Sequence, residues 1–485
     1  MSPSTKEKQK NKAVRSGPPP FYWRKTNGQY LLTNDFGYYA WLGEADFRRF
    51  SAGSLVKDDK AYKELSSKGF IRDMLDFSAL TAKWKSRNAH LFSGPGLHIF
   101  VMTLRCNHKC CYCQAGAVSR APDADMAWPT ARKSVDFAFH TTAPELTIEF
   151  QGGEPLLNWE VLKKTITYAR KKEKEAGKRL SLGLVTNFSL MTEEKAAFLL
   201  KNEVSICTSL DGPSDLHNAN RVYLCGDSHA RVLKWLKYFN LKHDKQGPGA
   251  RVFKPTALLT VTKASLGRHK EIIDQYVSLG LEDIFVRPLS PIGYAKKNWD
   301  TIGYTSADFV AFYGKSLGYI MELNRKGVPV REKMAGILLE KIAGERDPAY
   351  LDLACPCGAA TGQIAYNVNG DLYTCDEGRM MAWEGDDLFR IGNVFKDSYK
   401  KVLSAPAAKA CVAASELHSQ PECSRCAYSP YCGVCPVHSY ATQGALWGNI
   451  PSNSRCAFMK GVFGIVFSRL KNTGDREMLL KWIRK

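Results

Sequence analysis

No apolar run in the 485-residue chain approaches the roughly 20 residues that a membrane helix requires. The opening segment MSPSTKEKQKNK has no apolar core of the kind a secretory signal carries. Internal repeats are missing, and no low-complexity tract stands out beyond a basic first stretch. Acidic residues are the scarcer sign: 48 Asp and Glu against 68 Lys and Arg, a net charge of +20. Part of that excess lies in a tail (Lys6, Lys8, Lys10, Lys12 and Arg15 against Glu7) and on helix faces such as 170–178. No nucleic-acid recognition motif accompanies it. With 44% apolar and 24% charged residues the composition excludes wholesale disorder, and the length suggests about three domains. A cytoplasmic, globular chain is expected.

What is present is cysteine. Of fifteen, four lie in 106–113, two are Cys207 and Cys225, and nine fall between Cys355 and Cys456. Clustered thiols in a long chain without a signal segment point to metal or redox chemistry rather than to a disulfide framework.

The chain divides into a basic tail (1–20), a small unit (21–90), a long alternating region (95–330), a cysteine-rich region (345–460) and a C-terminal helix (461–485). Tyr30–Thr33 and Tyr38–Leu42 around Asn34-Asp35-Phe36-Gly37 predict a hairpin, followed by helices at Glu44–Phe50 and Lys60–Lys68. From Leu97 onward six apolar runs alternate with amphipathic helical segments, which predicts an α/β fold with six parallel strands and crossover helices. Six units rather than eight predict an open, partial (β/α)6 TIM-like barrel. Its chemistry belongs at the carboxyl ends of the strands. After about Asp347 periodicity fades, as it does where metal rather than an apolar core organises the chain.

At the first strand end stands Cys106-x3-Cys110-x2-Cys113. Three thiolates on a short loop can hold three irons of a cubane and leave the fourth open. A zinc site would want a fourth ligand, which His108 or Cys111 can supply. At the second strand end, Gly152-Gly153-Glu154-Pro155 combines glycines that let the backbone approach a ligand with a carboxylate suited to an ammonium group. In the C-terminal region Cys357 is followed by twelve residues, Gly370, four residues and Cys375. Then come Cys423-x2-Cys426-x5-Cys432-x2-Cys435 and Cys456. Cys355 also satisfies the first spacing, and a zinc ribbon over Cys423 to Cys435 is the alternative.

The three-cysteine loop with the GGEP segment resembles the radical S-adenosylmethionine (SAM) enzymes, and the later cysteines resemble the SPASM domain of peptide-modifying members. That resemblance implies three [4Fe–4S] clusters and bound SAM. The SAM cluster would sit on Cys106, Cys110 and Cys113. SAM would be lined by Tyr112, Gly152, Gly153, Glu154, Asn187, Ser209 and Asp211. Arg287 would pair with the methionine carboxylate or the peptide. Cys355 and/or Cys357 with Cys375 and Cys435 would hold an inner auxiliary cluster, and Cys423, Cys426, Cys432 and Cys456 an outer one. Asp376, directly after Cys375, would act as general base. Segments such as LHIFVMTLRCNHKCCYCQ and CGVCPVHSY look like the B-type maturase of His-Xaa-Ser systems. This implies a ribosomal precursor peptide, a second radical SAM partner and a flavodoxin or ferredoxin reductant. The first unit resembles a winged-helix-like leader-recognition domain that captures a peptide as an added strand. The expected outcome is an intramolecular side-chain crosslink. Epimerisation or formylglycine-type oxidation, a non-catalytic peptide-delivery role and a zinc-dependent nucleic-acid-binding role are the alternatives.

Overall fold

The computed structural model describes residues 17–115, 123–245 and 254–483. Most of the expected basic tail, 1–16, lies outside the described residues. The chain forms two compact units: one comprises the residues up to Ser86 together with Arg425–Pro430, the other Arg87–Ser424 with Tyr431–Lys485.

The first unit is an antiparallel meander of β1 (Tyr22–Thr26), β2 (Gln29–Thr33) and β3 (Tyr39–Gly43) with helices Glu44–Ser51, Lys60–Ser67 and Phe77–Arg87. The predicted hairpin is β2–β3. The strand β1 and the third helix were not anticipated, because Tyr-Trp-Arg-Lys-Thr is exposed along most of its length and lacks an alternating apolar face. Tyr30, Leu32, Ala40, Leu42, Phe50, Leu65 and Phe70 form the core. The Asn34 side chain ties the hairpin turn to the second helix by donating to Lys68 O at 2.9 Å.

The second unit is built on a ten-stranded sheet. Its strands in chain order are β4 (Leu97–Thr103), β6 (Glu145–Gly152), β7 (Arg179–Val185), β8 (Val204–Ser209), β10 (Thr256–Thr260), β11 (Asp283–Arg287), β12 (Arg331–Glu332), β13 (Gln363–Tyr366), β14 (Asp371–Tyr373) and β15 (Arg390–Asn393). A separate ribbon pairs β5 (His108–Cys110) with β9 (Arg221–Tyr223). Spatial order in the sheet is β12-β11-β10-β8-β7-β6-β4-β13-β14-β15. The six strands from β4 to β11 are parallel neighbours, as the alternation of apolar runs and helices predicts. In β6 Leu146, Ile148 and Phe150 are buried while Thr147, Glu149 and Gln151 are partly open, so period-two alternation sends one set to the helix layer and the other to the opposite face. The helix Trp159–Ala176 buries Leu162, Thr165, Ile166 and Ala169, a 3.6-residue stripe, and stops at Gly177, which is left-handed.

The barrel stays open. Two-residue β12 adds to one edge, and β13 adds parallel to β4 on the other, carrying β14 and β15 antiparallel beyond it. The cysteine-rich region is therefore not purely loop. The C-terminal segment is two helices, Ser454–Lys471 and Thr473–Leu480, instead of one beginning near 461. No helix among the described residues is long and apolar enough to cross a membrane.

Candidate active site

The three-cysteine loop leaves the carboxyl end of β4 and is held from two sides. On one side Gly153 N–H donates to Thr103 O and Glu154 N–H to Arg105 O, both at 2.8 Å. A Cβ on Gly153 would lie 2.0 Å from Arg105 O, and one on Gly152 (φ +136°) 2.3 Å from Thr103 O. Both glycines are required for backbone-to-backbone packing, Gly152 against the end of β4 and Gly153 against the cysteine loop. On the other side β5 runs antiparallel to β9, with Cys110 opposite Arg221.

Glu154 has internal partners that the sequence does not show. Its carboxylate is fully buried. It accepts from Leu156 N–H (3.0 Å), Thr186 Oγ1 (2.8 Å) and Asn187 N–H (2.8 Å). Three internal donors offset the burial of this carboxylate, and the result is to fasten the end of β6 to the end of β7. Asn187 is thereby oriented toward the loop: its Nδ2 donates to Asn107 Oδ1 at 3.0 Å and lies 4.0 Å from Cys106 Sγ.

Tyr112 and Asp211 form a second wall. The buried Tyr112 hydroxyl donates to Asp211 Oδ2, which also accepts from Arg221 Nε (3.1 Å) and Asn220 Nδ2 (3.3 Å). The Arg221 guanidinium lies 5.1 Å from the Tyr112 ring centroid and 4.0 Å from Cys110 Sγ. Sequence reasoning missed Arg221, because only the β5–β9 pairing places it there. Ser209 ends β8 beside this wall. Burial pushes the Cys106 thiol up to about 12, and the Cys110 thiol is raised by the same cause. A metal that bound them would displace their protons. Three thiols on one loop with a neighbouring guanidinium fit a cluster with one open iron.

Arg287, at the end of β11, does not stand free. Its Nη2 lies 3.8 Å from Glu377 Oε1, because the helix Asp376–Trp383 begins at that strand end. Asp376 is braced by buried Arg379, Nε to Oδ1 at 2.9 Å. Glu149 on β6 was not anticipated. Burial and the charge of Asp376 raise its carboxyl to about 7, against the opposing pull of Arg287 and Lys333. Its only sequence signal was a charge at an inward-alternating strand position.

The later cysteines segregate. Cys357, Cys375 and Cys435 are buried in one apolar cluster that also holds Cys411. Cys355, Cys423, Cys432 and Cys456 pack against a different one, formed by Leu417, Val434 and Ile450. The structure thus separates Cys355 from Cys357, which the sequence left open. Gly370 (φ +86°) makes the β13–β14 turn, and Cys375 Sγ caps the next helix by accepting from Gly378 N–H at 3.3 Å. Gly433 permits close approach to residues 352–354, where a Cβ would lie 2.4 Å from Asp352 O. Cys426 lies in 425–430, which belongs to the N-terminal unit.

Comparison with known families agrees with this geometry. Residues 100–242 match the radical SAM superfamily, and residues 357–427 match the SPASM iron–sulfur cluster-binding domain. The chain is a radical SAM enzyme of the SPASM subclass. This radical SAM enzyme is 24% identical over 387 residues to the cysteine-type anaerobic sulfatase-maturating enzyme of Clostridium perfringens (strain 13 / Type A), covering 76% of the chain and 95% of that protein. Among solved structures, native anSMEcpe with bound AdoMet superposes with a TM-score of 0.64 at 20% identity, covering 79% of this chain and 100% of that one. Streptococcus suis SuiB bound to its precursor peptide SuiA superposes with a TM-score of 0.55 at 15% identity, covering 90% and 98%. The domains present are those that bind iron–sulfur clusters and SAM.

Proposed function

We propose that this radical SAM enzyme modifies a ribosomally synthesised precursor peptide by hydrogen-atom abstraction and joins two of its side chains in an intramolecular crosslink. The observation that carries the reading is that the barrel and the Cys375–Glu377 segment address one space. Glu149 on β6 feels Asp376, and Arg287 on β11 pairs with Glu377. The reacting peptide side chain would enter that space, beside the segment that carries Cys375. That suits a reaction that removes a hydrogen atom on one side and an electron on the other.

A cluster on Cys106, Cys110 and Cys113 with SAM on its open iron would supply the 5′-deoxyadenosyl radical by one-electron cleavage of SAM. Tyr112, Gly152, Gly153, Asn187, Ser209 and Asp211 would line SAM, with Glu154 acting behind them to hold Asn187. Cys357, Cys375 and Cys435 would hold an inner auxiliary cluster, and Cys423, Cys432 and Cys456, with Cys355 beside them, an outer one, making three. Asp376, fixed by Arg379, would take the proton released as the new bond forms. Arg287, neutralised by Glu377, would orient the peptide and not SAM.

The N-terminal unit would take the leader as an added strand, since β1 and β3 are the two edges of its sheet. A flavodoxin or ferredoxin would provide electrons, and a second radical SAM protein would share the precursor. A second reading, oxidation of one side chain to formylglycine, is favoured by the sulfatase-maturating relative. Coexpression with the precursor followed by mass spectrometry separates the two. Loss of two hydrogens in a product inert to hydrazine is the expected result. A hydrazine-reactive carbonyl would establish the second reading, and an unchanged mass with a D-residue would overturn both. The variant carrying Cys106→Ala, Cys110→Ala and Cys113→Ala should leave the precursor unmodified and make no 5′-deoxyadenosine.

A further inference from the structure

Two histidines and a serine lie behind the three-cysteine loop with no part in the chemistry above. His108 sits between Cys106 and Cys110 on β5, His217 on the helix Ser214–Asn220, and Ser228 at the start of the helix Ser228–Asp244. All three are buried, at 6%, 0% and 1% exposure, so each polar atom needs a protein partner. Ser228 Oγ lies 3.0 Å from His108 Nε2 and 3.0 Å from His217 Nε2.

The bridge continues at both ends into the walls of the site. His217 Nδ1 accepts from Asp211 N–H at 3.3 Å, and Asp211 is the carboxylate that holds Tyr112 and Arg221. His108 Nδ1 lies 2.9 Å from Asn187 Nδ2, the same amide group that reaches toward Cys106 Sγ. The amide orientation is fixed independently, since Asn187 Oδ1 accepts from Ser189 N–H at 2.9 Å. A backbone N–H can only donate. His217 Nδ1 is therefore an acceptor, and the ring carries its proton on Nε2, facing Ser228. A doubly protonated His217 would set two donors against each other at Asp211. Burial, first, and the nearby Arg221 charge also hold this ring neutral. Asn187 and Asp211 follow the adjacent strands β7 and β8, which backbone pairing and the Thr208 Oγ1 to Thr186 O bond (2.7 Å) already join. The bridge ties both strand ends to the cysteine loop through residues 120 positions apart in sequence.

We propose that His108, Ser228 and His217 form a hydrogen-bonded latch that positions the three-cysteine loop against Asn187 and Asp211, setting the loop in register with the residues that line SAM. These are positioning residues, and the inference rests on the reading of that loop as the SAM-cluster site. The latch differs from the β5–β9 ribbon and from the His108–Tyr223 ring stack (4.6 Å, 4°), which hold the loop on its other side and survive loss of Ser228.

The test is Ser228→Ala in the reconstituted full-length protein, read by SAM affinity and by the electron paramagnetic resonance spectrum of the reduced protein with and without SAM. The variant should keep its iron content but bind SAM about tenfold more weakly, as loss of a buried hydrogen bond implies. Its SAM-induced spectral change should be broadened. His217→Phe removes the donor while filling the space, and makes the same test should Ser228→Ala not fold. Wild-type SAM affinity and wild-type line shape in either folded variant would overturn the latch. The triple cysteine-to-alanine variant keeps the underlying reading separate. If it retained a SAM-responsive spectrum, the loop assignment itself would fail, whatever the serine variant did.

Discussion

Glu149 is a carboxylate whose surroundings disfavour its charge. It stands on a barrel strand with Asp376 nearby, and its carboxyl is raised to about 7 by burial first and by that like charge second. Below that pH the folded protein holds a proton that the unfolded chain gives up above about 4.5. The stability tied to this proton is therefore full below about 4.5, is lost as pH rises to about 7, and is flat above. Glu149→Gln removes the titration. In urea denaturation of the cluster-free protein, the variant should gain on wild type by on the order of 3 kcal/mol between pH 4.5 and 8. A difference independent of pH would mean that folding does not shift the Glu149 carboxyl. Glu154 is the contrasting case. It is more fully enclosed, yet three donors meet it, which is how a protein keeps a buried carboxylate without leaving it orphaned.

Among the elements, the junction of β4 and β6 decides whether the loop can be placed at all. Both glycines of the GGEP segment were legible as points of close backbone approach: Gly152 approaches the end of β4 at Thr103, and Gly153 the cysteine loop at Arg105. Gly153→Ala would force a Cβ to within 2.0 Å of a carbonyl oxygen. The neighbouring atom is backbone, so the strain cannot be relieved by a rotamer change and should cost about 3 kcal/mol or more. Thermal melting and iron retention after reconstitution both report it, and wild-type values for both would refute the packing argument. The β5–β9 ribbon belongs to the same scale. Strands of three residues have no readable period, so neither the ribbon nor Arg221 beside Cys110 was visible in the sequence.

The second unit as a whole is one sheet that passes from barrel to cysteine-rich region without interruption. Because β13 pairs in parallel with β4, the strand that launches the three-cysteine loop is also the strand that the later cysteines build upon. Shared backbone hydrogen bonding fixes the two regions as a single rigid frame. Within that frame Cys355 and Cys357, two positions apart, join different apolar clusters. Substituting each by alanine should therefore remove iron of different kinds. If the chain binds three cubanes as proposed, about twelve irons are expected, and Cys357→Ala should lose the four of the inner one, with Cys355→Ala sparing them. Iron counting with Mössbauer spectroscopy distinguishes the two, and identical losses would contradict the segregation.

The sequence by itself determined the strand-and-helix alternation, the spacing of the thiols and the family they signal. Each is local: a period of two or 3.6 residues, or ligands a few positions apart on one loop. The helix Trp159–Ala176 is local in the same sense, since its apolar stripe and its terminal Gly177 lie in one continuous stretch. Only the tertiary structure decided the pairing of Arg287 with Glu377, the inward use of Glu154, the sorting of Cys355 from Cys357 and the bridge through Ser228. Most of those contacts join residues dozens to more than a hundred positions apart. They depend on sheet register and side-chain direction, and no periodicity along a chain encodes which distant partner a buried polar group will meet.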